Sequence, residues 1–349
     1  MRKRVYVVYT GGTIGMRKTE NGYAPASGYL KEQMLNSPVL RNPAMPEYTI
    51  HEYDQLLDSA NMTPDDWLKI AEDIAAHHDE YDGFVVLHGT DTMAYTASAL
   101  PFMLQGLRKP VILTGSQIPL CEVRNDARDN LITSLILAGN YQIPEVCLYF
   151  GNKLFRGCRS VKVNADGLQA FASPNFPPLG TAGIEIEIAW NLVLEPPPEN
   201  VPLRVHPIVH PPFVGAVRLF PGISAEIMHN ILQPPLRGLV LEAYGVGNGP
   251  DRNEDFIATL KEASDRGVVI IGCTQCLLGR VSLGSYATGA SMARAGVVSG
   301  FDMTPEAALA KMFHLFSMGL PPSVVKLQMQ RNLRGEITEP GFSTATGRL

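Results

Sequence analysis

Short apolar runs that stop at glycine dominate the hydrophobic pattern of this chain. Val5, Val7 and Val8 form the first run, and their β-branched character predicts a buried strand. It passes directly into Thr10-Gly11-Gly12-Thr13-Ile14-Gly15. Gly83 to Leu87 is a second continuous apolar run, and it meets His88-Gly89-Thr90-Asp91-Thr92. Further strands are predicted over 48–53, 109–114 and 146–150. Between them the apolar period changes to that of a helix. Trp67, Ile70, Ala71 and Ile74 share one face of a predicted helix. Thr63 caps it, Pro64 suits its first turn, and Asp65 and Asp66 oppose the positive end of its dipole. Helices are also predicted over 94–104 and 126–138. Strand alternating with helix predicts a doubly wound parallel sheet.

Seven prolines fall between residues 190 and 212, and this stretch reads as an interdomain connection. The alternation then restarts, with strands predicted over 214–219, 238–241 and 268–271. The helices expected here span 224–232, 254–264, 305–316 and 322–330. The fold class expected is therefore α/β with two α/β domains. The larger is an N-terminal doubly wound sheet over 1–189, followed by a linker over 190–212. The smaller is a C-terminal parallel-sheet domain over 213–349. Asn21-Gly22 is a hairpin-turn signal, and it predicts a flap with Tyr23 near its tip. The last residues, 341–349, are small and polar and are expected to fray.

Charge narrows the function classes. Net charge is −5 over 349 residues, with a pI near 5.9, which argues against a nucleic-acid binder. No apolar run approaches the roughly 20 residues needed to span a bilayer. Arg2-Lys3-Arg4 is followed within a few residues by a glycine-rich turn, which does not read as a secretory leader. A cytoplasmic location is expected. Five cysteines, an odd number spread along the chain, fit reduced thiols. Cys273-x-x-Cys276 has no second pair at metal spacing and is read as buried thiols, with no metal site.

Candidate chemistry collects where strands run into glycine. Ligands bind at the carboxyl edge of an open parallel sheet, and glycine turns leave backbone N–H groups accessible there. Thr13, Asp58, Ser59, Thr90, Asp91 and Ser116 all follow predicted strands. Each also has a plainer reading. Thr13 fits an ordinary turn, Asp58 and Asp91 fit capping roles, Tyr23 fits a surface aromatic, and Lys162 fits a solvated lysine. His88 follows a buried strand and reads as structural more readily than as a base. The Gly-Lys-Ser/Thr ending of a phosphate loop is absent, as are the dinucleotide G-x-G-x-x-G and the hydrolase G-x-S-x-G. What remains is two threonines in twin glycine turns, an acid, a lysine and a flap tyrosine. A threonine hydroxyl needs a base to become a nucleophile, and a lysine serves as one only when neutral.

Thr10-Gly11-Gly12-Thr13-Ile14-Gly15 and His88-Gly89-Thr90-Asp91-Thr92-Met93 resemble the two signature motifs of the bacterial-type L-asparaginases. The likeness continues through Asp58-Ser59, Thr114-Gly115-Ser116-Gln117, Lys162, Asp166-Gly167 and Tyr244-Gly245-Val246-Gly247-Asn248. It covers residues 4 to 340, and Pro221-Gly222-Ile223-Ser224 with Asn332-Leu333-Arg334-Gly335-Glu336 makes it similar to the cytoplasmic type I branch. The resemblance implies hydrolysis of L-asparagine without metal or cofactor, in a homodimer or dimer of dimers. It implies that Thr13 attacks the side-chain amide with help from Tyr23. Thr90, Asp91 and Lys162 would form a proton relay. Gly12, Asp58, Ser59, Ala60, Gly89, Thr90, Asp91 and Ser116 would bind substrate, with Asn248 added by a neighbouring subunit. Which threonine carries the acyl group is likewise implied by the family alone. Glu242 stands where an allosteric member of the family has arginine, so no allosteric site is carried over. Two rivals share the fold: a non-catalytic amino-acid sensor, and the amidase part of a tRNA-dependent amidotransferase, whose extra domains have no room here.

Overall fold

The computed structural model describes residues 2–20, 22–208, 213–284 and 287–338. Asn21 of the expected hairpin turn, Pro211 and Pro212 of the proline-rich stretch and the tail at 341–349 lie outside these residues. The chain divides into two units. Unit 1 comprises residues 1–173 and 178–206, and unit 2 comprises 174–177 and 207–349.

Unit 1 is built on an eight-stranded sheet. Its strands are β1 (Arg4–Gly11), β2 (Glu47–Leu57), β3 (Gly83–Leu87), β4 (Val111–Thr114) and β5 (Val146–Phe150), then β6 (Lys153–Arg156), β7 (Gly180–Ala182) and β8 (Ile186–Ile188). The spatial order is β8-β7-β6-β5-β4-β3-β1-β2. The first five strands are mutually parallel, as the strand–helix alternation requires. β1 lies between β2 and β3, with Val7 opposite Ile50 on one side and Val85 on the other. The chain therefore leaves β1 in one direction and later returns on its other side. Such a reversal opens a crevice beyond the carboxyl ends of β1 and β3.

The last three strands are antiparallel, which the alternation alone does not predict. The first of them begins at a local turn. Gly151 and Asn152 both have positive φ, 56° and 67°, and form a two-residue turn that pairs Phe150 with Lys153.

Helices flank the sheet. They are α1 (Tyr29–Asn36), α2 (Pro64–His77), α3 (Met93–Met103) and α4 (Ala127–Asn140). α2 begins with a full capping box, since Asp66 accepts from both the backbone N–H and the hydroxyl of Thr63. Trp67, Ile70, Ala71 and Ile74 are its buried face. The expected flap is a two-stranded hairpin, Met16–Thr19 against Gly22–Pro25, with Lys18 opposite Tyr23.

Unit 2 carries four parallel strands in sequential order, β9 (Val214–Arg218), β10 (Gly238–Ala243), β11 (Val269–Thr274) and β12 (Val297–Ser299). Their companions are α5 (Ala225–Ile231), α6 (Glu254–Asp265), α7 (Ala287–Arg294), α8 (Pro305–Ser317) and α9 (Pro322–Met329). One core layer joins Leu239, Leu241 and Ile270 to Phe256 and Leu260. The other joins Val240, Val269 and Ile271 to Met312 and Phe316.

The proline-rich stretch stays with unit 1 as far as His206. Arg204-Val205 pairs antiparallel with Leu104-Gln105, which holds the segment by backbone hydrogen bonds. A buried ion pair holds its start. Glu145 receives Arg156 Nε at 2.6 Å and Nη2 at 3.1 Å, and the same carboxylate accepts the N–H of Leu194. Arg156 also donates to the carbonyl of Leu192. Removing one partner of a buried pair leaves the other charge uncompensated. Glu145→Ala is accordingly expected to cost about 3–5 kcal/mol, read as a lower urea midpoint. An unchanged midpoint would show that the pair is dispensable.

Candidate active site

Four strand ends of unit 1 meet through glycine. Gly11 and Gly12 have φ of 129° and 85°, conformations that a side chain resists. A Cβ on Gly11 would lie 2.2 Å from the carbonyl oxygen of Leu57 at the end of β2. One on Gly12 would lie 2.5 Å from both Cα and N of Gly89, in the turn after β3. One on Gly89 would strike Ser59 Oγ at 2.5 Å, and one on Gly115, after β4, would lie 2.3 Å from the carbonyl oxygen of His88. The Thr10–Thr13 and His88–Thr92 turns are thus packed backbone to backbone. Gly12 N–H donates to Leu57 O at 3.2 Å, and Thr10 Oγ1 donates to Leu87 O at 3.0 Å.

Thr13 follows Gly12 at the head of a short 3-10 turn and is half-buried. Thr90 is buried, and three groups organise its neighbourhood. Lys162 Nζ donates to Thr90 Oγ1 at 2.9 Å and to Asp91 Oδ1 at 2.6 Å. Thr90 Oγ1 itself donates to Gln117 Oε1 at 3.1 Å. The capping reading of Asp91 fails, because its carboxylate takes the ammonium and Thr92 is the N-cap of α3. The lysine side chain is only 20% exposed, so the surface reading of Lys162 fails as well. It is carried by a two-residue strand, Val161–Lys162, paired with Phe171–Ala172.

Asp58 and Ser59 lie where β2 ends. Asp58 is exposed and its Oδ1 accepts the N–H of Ala60, so it does cap the short turn that follows, as the plainer reading had it. Ser59 is buried, its carbonyl accepts from Thr92 Oγ1 at 2.7 Å, and Ala60 is exposed. Ser116 is buried beyond β4, and its hydroxyl has no hydrogen-bond partner among the described residues.

Tyr23 is 46% exposed and donates its hydroxyl to Glu122 Oε1 at 2.6 Å. Among the described residues no hydrogen bond joins Tyr23 to Thr13. The bond to Glu122 pushes the Tyr23 phenol above its ordinary value, so the hydroxyl is a donor here. Asn248 belongs to unit 2. It closes a tight Tyr244–Asn248 loop, and its Oδ1 accepts from Thr288 Oγ1 at 2.6 Å.

Gln117 is not among the site residues that the sequence singles out. It bonds Thr90 and also donates to the carbonyls of Ala165 and Gly167, tying the turn after Lys162 to the end of β4. The signal is present nonetheless. Thr114-Gly115-Ser116-Gln117 is a third strand running into glycine and hydroxyl.

Matches to two family descriptions cover most of the chain: "Asparaginase, N-terminal" over residues 4–194 and "Glutaminase/Asparaginase C-terminal domain" over 214–329. The chain belongs to the asparaginase family. L-asparaginase 1 of Escherichia coli (strain K12) is 54% identical over 338 residues, 97% of this chain and 98% of that one. The crystal structure of L-asparaginase I from Vibrio cholerae is 52% identical and superposes with a TM-score of 0.90, covering 97% of this chain and all of that one. The thermostable L-asparaginase from Thermococcus kodakarensis is more distant, 35% identical with a TM-score of 0.85, and its structure covers 97% of this chain and all of its own. Two α/β units, the larger on a mixed sheet and the smaller on a parallel one, match the asparaginase architecture, as the sequence led one to expect.

His88 takes the structural role in this asparaginase. It is fully buried, its Nδ1–H donates to Gly89 O at 2.7 Å, and its Nε2 accepts from Thr96 Oγ1 at 2.8 Å. Burial lowers its pKa to about 4. An unfolded imidazole titrates near about 6.5. Between those two values the unfolded chain binds a proton that the folded chain refuses, so acid favours unfolding. The stabilisation is complete above about 6.5 and is lost as pH falls toward 4, about 3 kcal/mol in all. His88→Gln should flatten that part of the stability–pH curve relative to wild type. Parallel curves for the two proteins would mean that His88 is not held neutral.

Proposed function

We infer that this chain is an amidohydrolase that converts L-asparagine and water to L-aspartate and ammonia. The observation that carries the reading is the Lys162–Thr90–Asp91 cluster, on a turn whose backbone abuts that of Thr13. Its strong likeness to an L-asparaginase 1 supports the choice of amide.

In the reading proposed, Thr13 Oγ attacks the side-chain amide carbon. The carbon–nitrogen bond breaks, ammonia leaves with the added proton, and a threonine ester remains. Water then attacks the ester, releasing aspartate and restoring the Thr13 hydroxyl. Tyr23 assists the first step after exchanging Glu122 for Thr13. Thr90 positions the water. Its proton now points to Gln117, so the relay requires Lys162 first to pass a proton to Asp91 and then to accept one from Thr90. The short contact of Lys162 with Asp91 supports this path. N–H groups of the Gly89–Thr90 turn stabilise the oxyanion. Gly12, Asp58, Ser59, Ala60 and Ser116 hold the amino-acid end of the substrate. The buried Ser116 hydroxyl without a protein partner supports its part in this.

The same reading makes the protein a homodimer or dimer of dimers in the cytoplasm, with Asn248 supplied to the site by a neighbouring copy. Five free cysteines, three of them buried, support a reducing compartment. Among the described residues no helix is long and apolar enough to cross a membrane. A sensor that only binds asparagine would need no relay, and the lysine–threonine–aspartate contacts weigh against that alternative.

Thr13→Ala and Thr90→Val should each reduce kcat for ammonia release by roughly 10⁴-fold or more while far-UV circular dichroism stays unchanged. Full ammonia release by either variant refutes the assigned roles. Binding of asparagine to wild type without ammonia release would instead make the protein a sensor. Release from glutamine but not asparagine would favour the amidotransferase alternative.

A further inference from the structure

A cavity of about 380 Å³ opens in unit 1 between α1 with the segment after it and the first turns of α4. Its apolar wall includes Val39, Leu40, Leu120, Leu131 and Ile132, and Arg128 reaches its rim. No carboxylate lines it. Arg128 uses its backbone N–H to bond Asn125, but its guanidinium forms no ion pair among the described residues. The nearest acids along the same helices, Glu32 and Asp129, are exposed and do not line the space. The volume falls at the small end of ligand pockets, and the apolar side chains share the lining with the polar Gln33, Asn36 and Ser37, which with Arg128 can orient a guest.

We propose that this cleft binds a small monocarboxylate with an apolar tail. The guanidinium takes the carboxylate in a charge-assisted pair, and the leucine, isoleucine and valine side chains take the tail. The absence of a lining acid excludes cations and disfavours amino acids, whose ammonium group would be left unpaired.

Occupancy is transmitted to the flap. Leu120 of the cavity wall donates its N–H to Ile14 O at 3.1 Å, one residue beyond Thr13. The next two residues grip the hairpin. Cys121 Sγ contacts Met16 O at 3.5 Å, and Glu122 holds Tyr23. This second part of the proposal rests on the asparaginase reading. The first does not.

Octanoate is the probe, with octylammonium as the charge-reversed control, on the full-length protein. Octanoate should shift the methyl resonances of Leu131 and Ile132 and bind at submillimolar concentration by calorimetry. Octylammonium should do neither. Arg128→Glu should weaken octanoate at least about tenfold, and Val39→Trp, at an exposed position on the rim, should block it. Methyl resonances that do not move, or binding that survives Arg128→Glu, overturn the site. Octanoate should also change KM for asparagine in wild type and not in Arg128→Glu. Binding with an unchanged KM overturns the transmission and leaves the site standing. No turnover at all in the absence of octanoate is the separate failure of the asparaginase reading.

Discussion

Everything at the candidate site depends on the approach of one backbone turn to another. Gly12 and Gly89 sit so close that a methyl group on Gly12 would overlap the backbone of the other turn. No side chain separates β1 from β3 at their carboxyl ends. The two hydroxyl-bearing turns are therefore fixed by main-chain geometry, which is stiff, and not by side-chain rotamers, which are not. Ser59 belongs to the same contact through Gly89, and His88 does so through Gly115. A buried neutral imidazole bonded to Gly89 O stiffens the turn further. That arrangement needs the reversal of strand order at β1. There two turns that are distant in sequence face each other across one sheet.

Onto this rigid base the protein adds one polar chain that contributes little to stability. Asp91 is 64% exposed, and an ion pair so hydrated is worth little to the folded state. In the proposed relay it would give the Lys162 proton somewhere to go. Thr90 stands in the middle, receiving from Lys162 and donating to Gln117. Gln117 is fixed in turn, since its N–H donates to Asp126 and its amide to the 165–167 turn. Thr90 is thereby oriented from two directions, as the water-positioning role proposed for it would require.

How much of this the sequence discloses follows from the range of each interaction. β1, β3 and β5 are continuous apolar runs, and α2 carries its cap and its period in adjacent residues, so both kinds of element are legible. The flap is legible from Asn21-Gly22. The antiparallel strands β6 to β8 are three or four residues long, and their pairing comes from tertiary contact. Gly151-Asn152, a turn pair between Phe150 and Lys153, is the one local hint of them. In the same way the proline count between 190 and 212 suggests an interdomain connection but not what holds it. The buried Glu145–Arg156 pair that captures its first residues joins positions far apart from it in sequence. At the site, the glycine–threonine motifs single out Thr13 and Thr90 as candidates, but no local rule singles out Gln117 or Glu122. Each is recognised only by the partner that folding brings to it.

The two threonines are prepared differently, and the difference agrees with their assigned work. Thr90 is buried and hydrogen-bonded to Lys162 and Gln117. Thr13 is half-buried at the start of a 3-10 turn, and the tyrosine expected to assist it is bonded to Glu122 on the strap after β4. A nucleophile left fully activated in an open site would meet water before substrate. In the proposed mechanism, the bond of Tyr23 to Glu122 would keep the nucleophile apart from its helper, while the water-positioning half of the site is already assembled. On that reading the rigid part of the fold would serve the second chemical step. The hairpin, which contacts the strap through Cys121 and Glu122, would serve the first in the proposed mechanism.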